Sequence, residues 1–159
     1  MSLIATIRGI PQIYYGSEIG MRGDKSVGDH DIRHDFPGGW NGDAKNAFTQ
    51  SGRTAEQQQY FEFTSKLFNW RKSKNVIHSG KTTQYVPENN VYVYFRHNDK
   101  DAVMVIINNS AEKQAVKAAR FKENIKTFTS GKDVITGSTV DLKNEISINP
   151  KSALILELK

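Results

Sequence analysis

The second half of the chain carries the pattern that most constrains its fold. After Val76, apolar and polar residues alternate in short runs at 82–86, 91–97, 103–108, 114–118, 126–129, 134–135 and 153–158. Turn-forming residues separate the runs at 87–90, 98–101, 108–110, 130–131 and 149–150. A period of two places alternate side chains on opposite faces, and several short strands at this spacing predict an antiparallel β-sandwich over 76–159. Val91, Val93 and Phe95 then share one face, opposite Tyr92 and Tyr94. The expected core is Val93, Phe95, Val105, Ile107, Leu154 and Leu156.

The first half reads differently. Residues 1–3 are read as a leader outside the fold, and 10–15 (IPQIYY) as a short buried strand bounded by Gly9 and Gly16. From Gly20 to Gly52 no period holds, and glycine, aspartate, asparagine, proline and serine dominate; an irregular stretch of this length is usually functional. A helix follows over 54–74. Thr54 and Gln57 have capping-box spacing at its start, and Arg71 and Lys72 lie in its last turn, where cations suit the helix dipole. Tyr60, Phe61, Phe63, Leu67, Phe68 and Trp70 supply its apolar side. A strand followed by a helix is the half-unit of a parallel α/β structure, whose strands are buried on both faces. Residues 4–75 are therefore expected to need partner strands from outside this sequence, and the orphan strand 10–15 is expected to promote non-native self-association or local disorder.

Composition removes several function classes. No apolar run approaches the roughly 20 residues of a membrane-spanning helix. With no cysteine, thiolate catalysis, disulfides and cysteine-ligated zinc are excluded. Lys and Arg number 22 against 17 Asp and Glu, but the excess is scattered rather than gathered in a basic patch, which argues against nucleic-acid binding. Compartment is left open, with a periplasmic or secreted location favoured.

Three ordered motifs carry a resemblance. Residues 6–21 (TIRGIPQIYYGSEIGM) resemble the segment at the eighth barrel strand of α-amylase-type glycoside hydrolases, with Ser17 where the family usually has aspartate. Residues 31–40 (DIRHDFPGGW) resemble the following loop of neopullulanase and cyclomaltodextrinase-like members. LFNWRK at 67–72, VIHSG at 76–80 and VYVYFR at 91–96 continue the likeness into the family's C-terminal sandwich, domain C. The resemblance implies that 4–75 is the last strand, loop and helix of a (β/α)8 barrel, followed by domain C at 76–159. It also implies a parent that hydrolyses α-glucosidic bonds in starch, pullulan or cyclodextrin, retaining configuration through two carboxylates. The family's catalytic acids belong to earlier barrel strands, so no catalytic residue is assigned to this chain, and the fragment alone is expected to be structural and inactive.

The family's loop after strand eight holds a sugar through an Asp and an Arg. Asp29 and Arg33 have that spacing, with Asp31 as an alternative, and carboxylate and guanidinium groups suit neighbouring hydroxyls. The competing reading is an ion pair internal to the loop. Trp40 is read either as a sugar-stacking ring or as the anchor of the Phe36–Gly39 turn. His30 and His34 lie four apart, but the surrounding glycines and Pro37 argue against the helix a metal pair would need. No metal site is assigned, and calcium stays open only for the parent. The aromatic strands leave a rival role, a freestanding α-glucan-binding module, alongside ordinary packing. A small independent enzyme is a third reading; Glu18 with Asp35 would be its carboxylate pair, but the resemblance implies scaffold and loop positions for both.

Overall fold

A computed structural model describes residues 1–125 and 128–159. The chain divides into two compact units, one formed by Met1–Pro11 with Leu67–Lys159, the other by Gln12–Lys66.

The first unit is the sandwich. Its strands are β1 (Lys81–Gln84), β2 (Val91–His97), β3 (Ala102–Asn108), β4 (Gln114–Lys117), β5 (Ser130–Asp133), β6 (Thr139–Asp141), β7 (Glu145–Ile148) and β8 (Ser152–Leu158). Six form an antiparallel sheet in the order β1-β2-β3-β8-β5-β6, and β4 pairs with β7 in a second sheet. The connections are set locally. Glu88 and Val91 exchange both backbone hydrogen bonds, and Asn89 and Asn90 have φ of 51° and 60°, so this hairpin turns through two left-handed residues. Such turns match the twist of paired strands, and asparagine tolerates the conformation. At the next turn the Asn98 side chain accepts the Lys100 and Asp101 amides at 2.9 and 2.7 Å.

Between the sheets lies one hydrophobic cluster. Val91, Val93 and Phe95 of β2 join Met104 and Ile106 of β3, Leu156 and Leu158 of β8, and Val116, Phe121, Ile146 and Ile148 from the covering elements. Phe95, Tyr85 and Phe121 meet edge-on or tilted with centroids 4.8–6.0 Å apart. The expected core is therefore split. Val93, Phe95 and Leu156 belong to the cluster, with Leu154 packed at its margin. Val105 and Ile107 face the other way, because Val105 pairs with Tyr94 and Ile155, and Ile107 with Tyr92. That second face is buried too: Tyr94, Arg96, Val103, Val105 and Ile155 are all inaccessible. The run AVMVIIN of β3 carries no alternation for this reason.

Helical segments of the same unit hold the second face. They are α1 (Ser2–Thr6), the end of α2 (Ala55–Lys72) and α3 (Asn75–Ser79). Arg71 donates to the carbonyls of Ala5 at 2.6 Å and Gly9 at 2.9 Å. Arg96 donates to Ile77 O at 2.8 Å and to the Thr82 hydroxyl, while Tyr94 bonds the Thr6 hydroxyl. Trp70 donates to Glu157 at 2.7 Å, and Lys74 pairs with the same carboxylate. Ser2 and Leu3, read as leader residues, are the opening of α1.

Three sequence expectations need correction. Residues 10–15 form no strand, and Ile10 is 97% exposed. A strand of that composition exists only when paired on both sides, and no described strand of this chain pairs with it. The pair Ser130-Gly131, read as a turn, lies in β5; a side chain at Gly131 would come within 2.8 Å of Leu156 Cβ, so its glycine serves close approach. Conversely 134–135, read as a strand, is a turn, where the buried Asp133 carboxylate accepts the Ile135 and Thr136 amides at 3.0 and 3.2 Å. The expected strand 126–129 lies partly outside the described residues, and β6 and β7 were not anticipated.

The second unit is mostly irregular. A 3-10 turn at Ser17–Ile19 and another at Gln50–Gly52 interrupt it, and the first part of α2 closes it. The capping box forms as read: the Thr54 amide donates to Gln57 Oε1 at 2.9 Å and the Gln57 amide to Thr54 Oγ1 at 3.2 Å.

Candidate functional site

Residues 22–53 hold the loop candidates Asp29, Asp31, Arg33 and Trp40 together with His30 and His34. The segment from Asp24 to Arg33 is a succession of turns rather than a helix. Asp24 starts it, accepting the Ser26 amide at 2.8 Å and the Ser26 hydroxyl at 2.7 Å. These two donors hold the pKa of its carboxyl below the ordinary value. Asp31 accepts the Asp24 amide and lies 3.6 Å from the His34 ring. Tyr15 fixes the far end by donating to His34 O at 2.8 Å, its ring against Tyr14 at 4.7 Å. Burial and Tyr14 push the Tyr15 hydroxyl's pKa upward.

Asp29 sits between two cations, pairing with Lys25 and approaching Arg33 at 3.6 Å. The i, i+4 spacing brings the Asp29 and Arg33 side chains together as an exposed contact. All three side chains are more than half exposed, so the pair stabilises little and its groups stay accessible. Asp31 is committed to backbone and histidine contacts, which leaves Asp29 and Arg33 as the accessible acceptor and donor.

Trp40 is 74% exposed. Its ring is outward rather than anchoring the 36–39 turn, and the next turn is closed at Asp43, with Trp40 N donating to the Asp43 carboxylate Oδ2 at 2.9 Å and Asp43 N to Trp40 O at 3.3 Å. The aromatic anchor is Phe36, against Phe48 at 4.5 Å. Arg53, which no sequence pattern singled out, organises the loop's return. It donates to Ala47 O at 2.8 Å and to Gln58 Oε1 at 2.7 Å, with its guanidinium 3.9 Å over the Phe61 ring. An arginine just before a capping box was the available signal.

His30 and His34 do not share a helical face, and among the described residues no three His, Asp or Glu side chains converge as a metal centre requires. Glu18 lies in the 3-10 turn at Ser17–Ile19 and Asp35 in the loop after His34. Hydrogen bonds hold the carboxyl pKa values of Asp24 and Glu157 below the ordinary range.

In the sandwich, the aromatic strand β2 is used in packing. Tyr94 is buried, Tyr92 donates to Gln84 Oε1 at 2.7 Å, and their rings lie 5.2 Å apart. Tyr85 is held between Phe95 and Phe121 and donates to Asn124.

Comparison with known proteins adds the following. Residues 82–157 match the family model described as the cyclo-malto-dextrinase C-terminal domain. A cyclomaltodextrin glucanotransferase of Geobacillus stearothermophilus is 27% identical over 146 residues, covering 87% of this chain and 18% of its own length. One from Niallia circulans is 35% identical over 115 residues, covering 72% of this chain and 14% of its own. An Anoxybacillus α-amylase superposes over 99% of this chain and 30% of its own, with TM-score 0.74 and 19% identity. AmyP in complex with maltose superposes over 98% of this chain and 33% of its own, with TM-score 0.76 and 22% identity. The chain thus spans less than a fifth of these curated relatives. The comparisons do not support the narrower neopullulanase likeness.

Proposed function

Because the chain carries the C-terminal domain of the α-amylase and cyclomaltodextrin glucanotransferase family, we propose that it is a non-catalytic portion of an enzyme acting on α-glucans, joining a structural sandwich to one sugar-contacting loop. The observation that carries this reading is the contrast in availability of side chains. The aromatic rings of the matched sandwich are engaged in packing and hydrogen bonds, whereas Asp29, Arg33 and Trp40 stand more than half exposed on the loop. A guanidinium donates to vicinal hydroxyls, a carboxylate accepts from them, and an indole stacks on the apolar face of a glucose ring. In the parent enzyme these groups would hold a glucosyl unit remote from the cut. Residues 4–75 would then complete the barrel as its last strand, loop and helix. Relatives solved with maltose or maltotriose are compatible with an oligoglucoside ligand.

Kinetics of the intact parent test the site. Arg33→Ala is expected to raise KM several-fold for long glucans while leaving kcat on the shortest substrate unchanged, because lost binding away from the reacting bond is uniform binding. Identical long-glucan kinetics would remove Arg33 from the site. Retention of the purified chain in a starch-containing gel, abolished by Tyr92→Ala, would favour the freestanding glucan-binding module instead.

A further inference from the structure

We propose that Asn41-Gly42 is a site of spontaneous covalent modification, in which Asn41 converts to aspartate and isoaspartate through a cyclic imide. The chemistry needs a side-chain amide followed by a backbone nitrogen that can reach it. Glycine at the second position matters because any Cβ there shields the nitrogen and stiffens the backbone. Both residues are exposed, in the turn closed by Asp43 N to Trp40 O at 3.3 Å. Gly42 has φ of 94°, and the position a Cβ would take has no atom within 4 Å, so solvent and base reach this peptide from that side.

The step balances with water as its only co-reactant. The Gly42 nitrogen gives up its proton and attacks Asn41 Cγ; the new C–N bond closes a five-membered ring, the Cγ–Nδ2 bond breaks, and Nδ2 leaves as ammonia. Water then opens the ring. Attack at Cγ gives aspartate in the original backbone. Attack at the main-chain carbonyl breaks its bond to Gly42 and leaves isoaspartate, with the backbone routed through Cγ. Either product adds a negative charge beside Asp43, whose carboxylate holds the Trp40 amide at 2.9 Å. Isoaspartate also lengthens the main chain by one carbon inside a four-residue turn, which forces the Trp40 end of that turn to move.

Nearby protease sites make the test clean. Trypsin cutting after Arg33 and Lys45 releases residues 34–45, in which Asn41 is the only asparagine and no glutamine occurs. The purified chain is held at mildly alkaline pH and 37 °C, digested, and followed by mass spectrometry. The expected result is a gain of about 1 Da in peptide 34–45, split into two chromatographic forms, of which one is a substrate for isoaspartyl methyltransferase. In 18O-water the gain rises to about 3 Da, which marks hydrolysis of the imide. It should precede deamidation at Asn109-Ser110, and Gly42→Ala should slow it by about tenfold or more. Gly42→Ser is a second variant, should alanine disturb the turn. A peptide 34–45 that keeps its amide while Asn109 loses its own would overturn the proposal, as would equal rates in wild type and both Gly42 variants.

Discussion

The sandwich and the 12–66 unit are built by different physics. In the sandwich, fifteen buried apolar residues among those described form one cluster, and each strand inherits its face from its neighbour's register. In the loop unit only Ile19 and Ala47 are buried apolar residues, and order comes from side chains bonding to the nearby backbone, as at Asp24, Asn46, Asp43 and Arg53. The difference teaches where each kind of residue is free to act. The aromatic rings of the sandwich are spent on cohesion, while the loop leaves a carboxylate, a guanidinium and an indole exposed.

The comparison breaks most sharply under a core truncation. Phe95→Ala removes a ring with no exposed surface that touches Tyr85 and Phe121, and is expected to cost about 3 to 5 kcal/mol in urea unfolding. A loss below about 1 kcal/mol would mean the cluster is not the stabilising element.

Alkali gives the next effect. Burial pushes the Tyr94 hydroxyl up to about 12, against which the Thr6 hydroxyl and Arg96 act only in part. A phenol raised in the folded state contributes stability that is complete below its unfolded value near 10 and lost as pH climbs through about 12. The sandwich should therefore lose about 2 to 3 kcal/mol across that interval, and Tyr94→Phe should flatten the slope. An unchanged alkaline slope in the variant would show that another group controls it.

Acid probes the opposite sign at Glu157. Burial raises its pKa, but the Lys74 and Trp70 hydrogen bonds, with Lys74 and Lys159 as neighbouring charges, outweigh burial and lower it. Stability from a depressed carboxyl is present above the unfolded value near 4.5 and disappears as pH falls through the folded one. Urea midpoints of wild type should fall below pH 4.5 more steeply than those of Glu157→Gln; parallel curves would contradict the assignment.

The smallest effect belongs to the loop. Asp29→Asn breaks exposed pairs to Lys25 and Arg33 and should change stability by less than about 0.5 kcal/mol, with even that suppressed by salt. A larger loss, measured in the same urea titration, would put cohesion rather than availability at this site.

Legibility followed the same division. The helix with its Thr54–Gln57 box and strands β2, β3 and β8 were readable because local signals and tertiary pairing agree there. Strand β5 was not, since Gly131 signals a turn by composition but serves close packing against Leu156. The faces of β3 were unreadable because both are buried, which erases the alternation that would separate Met104 from Val105. In the loop, the Asp29–Arg33 spacing was visible in sequence, but the roles of Asp43 and Arg53 depend on which carbonyls and amides the turns present, and no period records that.

The proposed role, structure and a glucan contact without bond cleavage, is tested by the activity of the isolated chain. Retaining hydrolysis needs two carboxyl groups about 5 to 5.5 Å apart across the glycosidic bond, held rigidly. The direct measurement is reducing-sugar release by the purified 159-residue chain from starch, pullulan and cyclodextrin. The account predicts release no greater than that of a protein-free control on all three. Release that is abolished by Glu18→Gln or Asp35→Asn would contradict it.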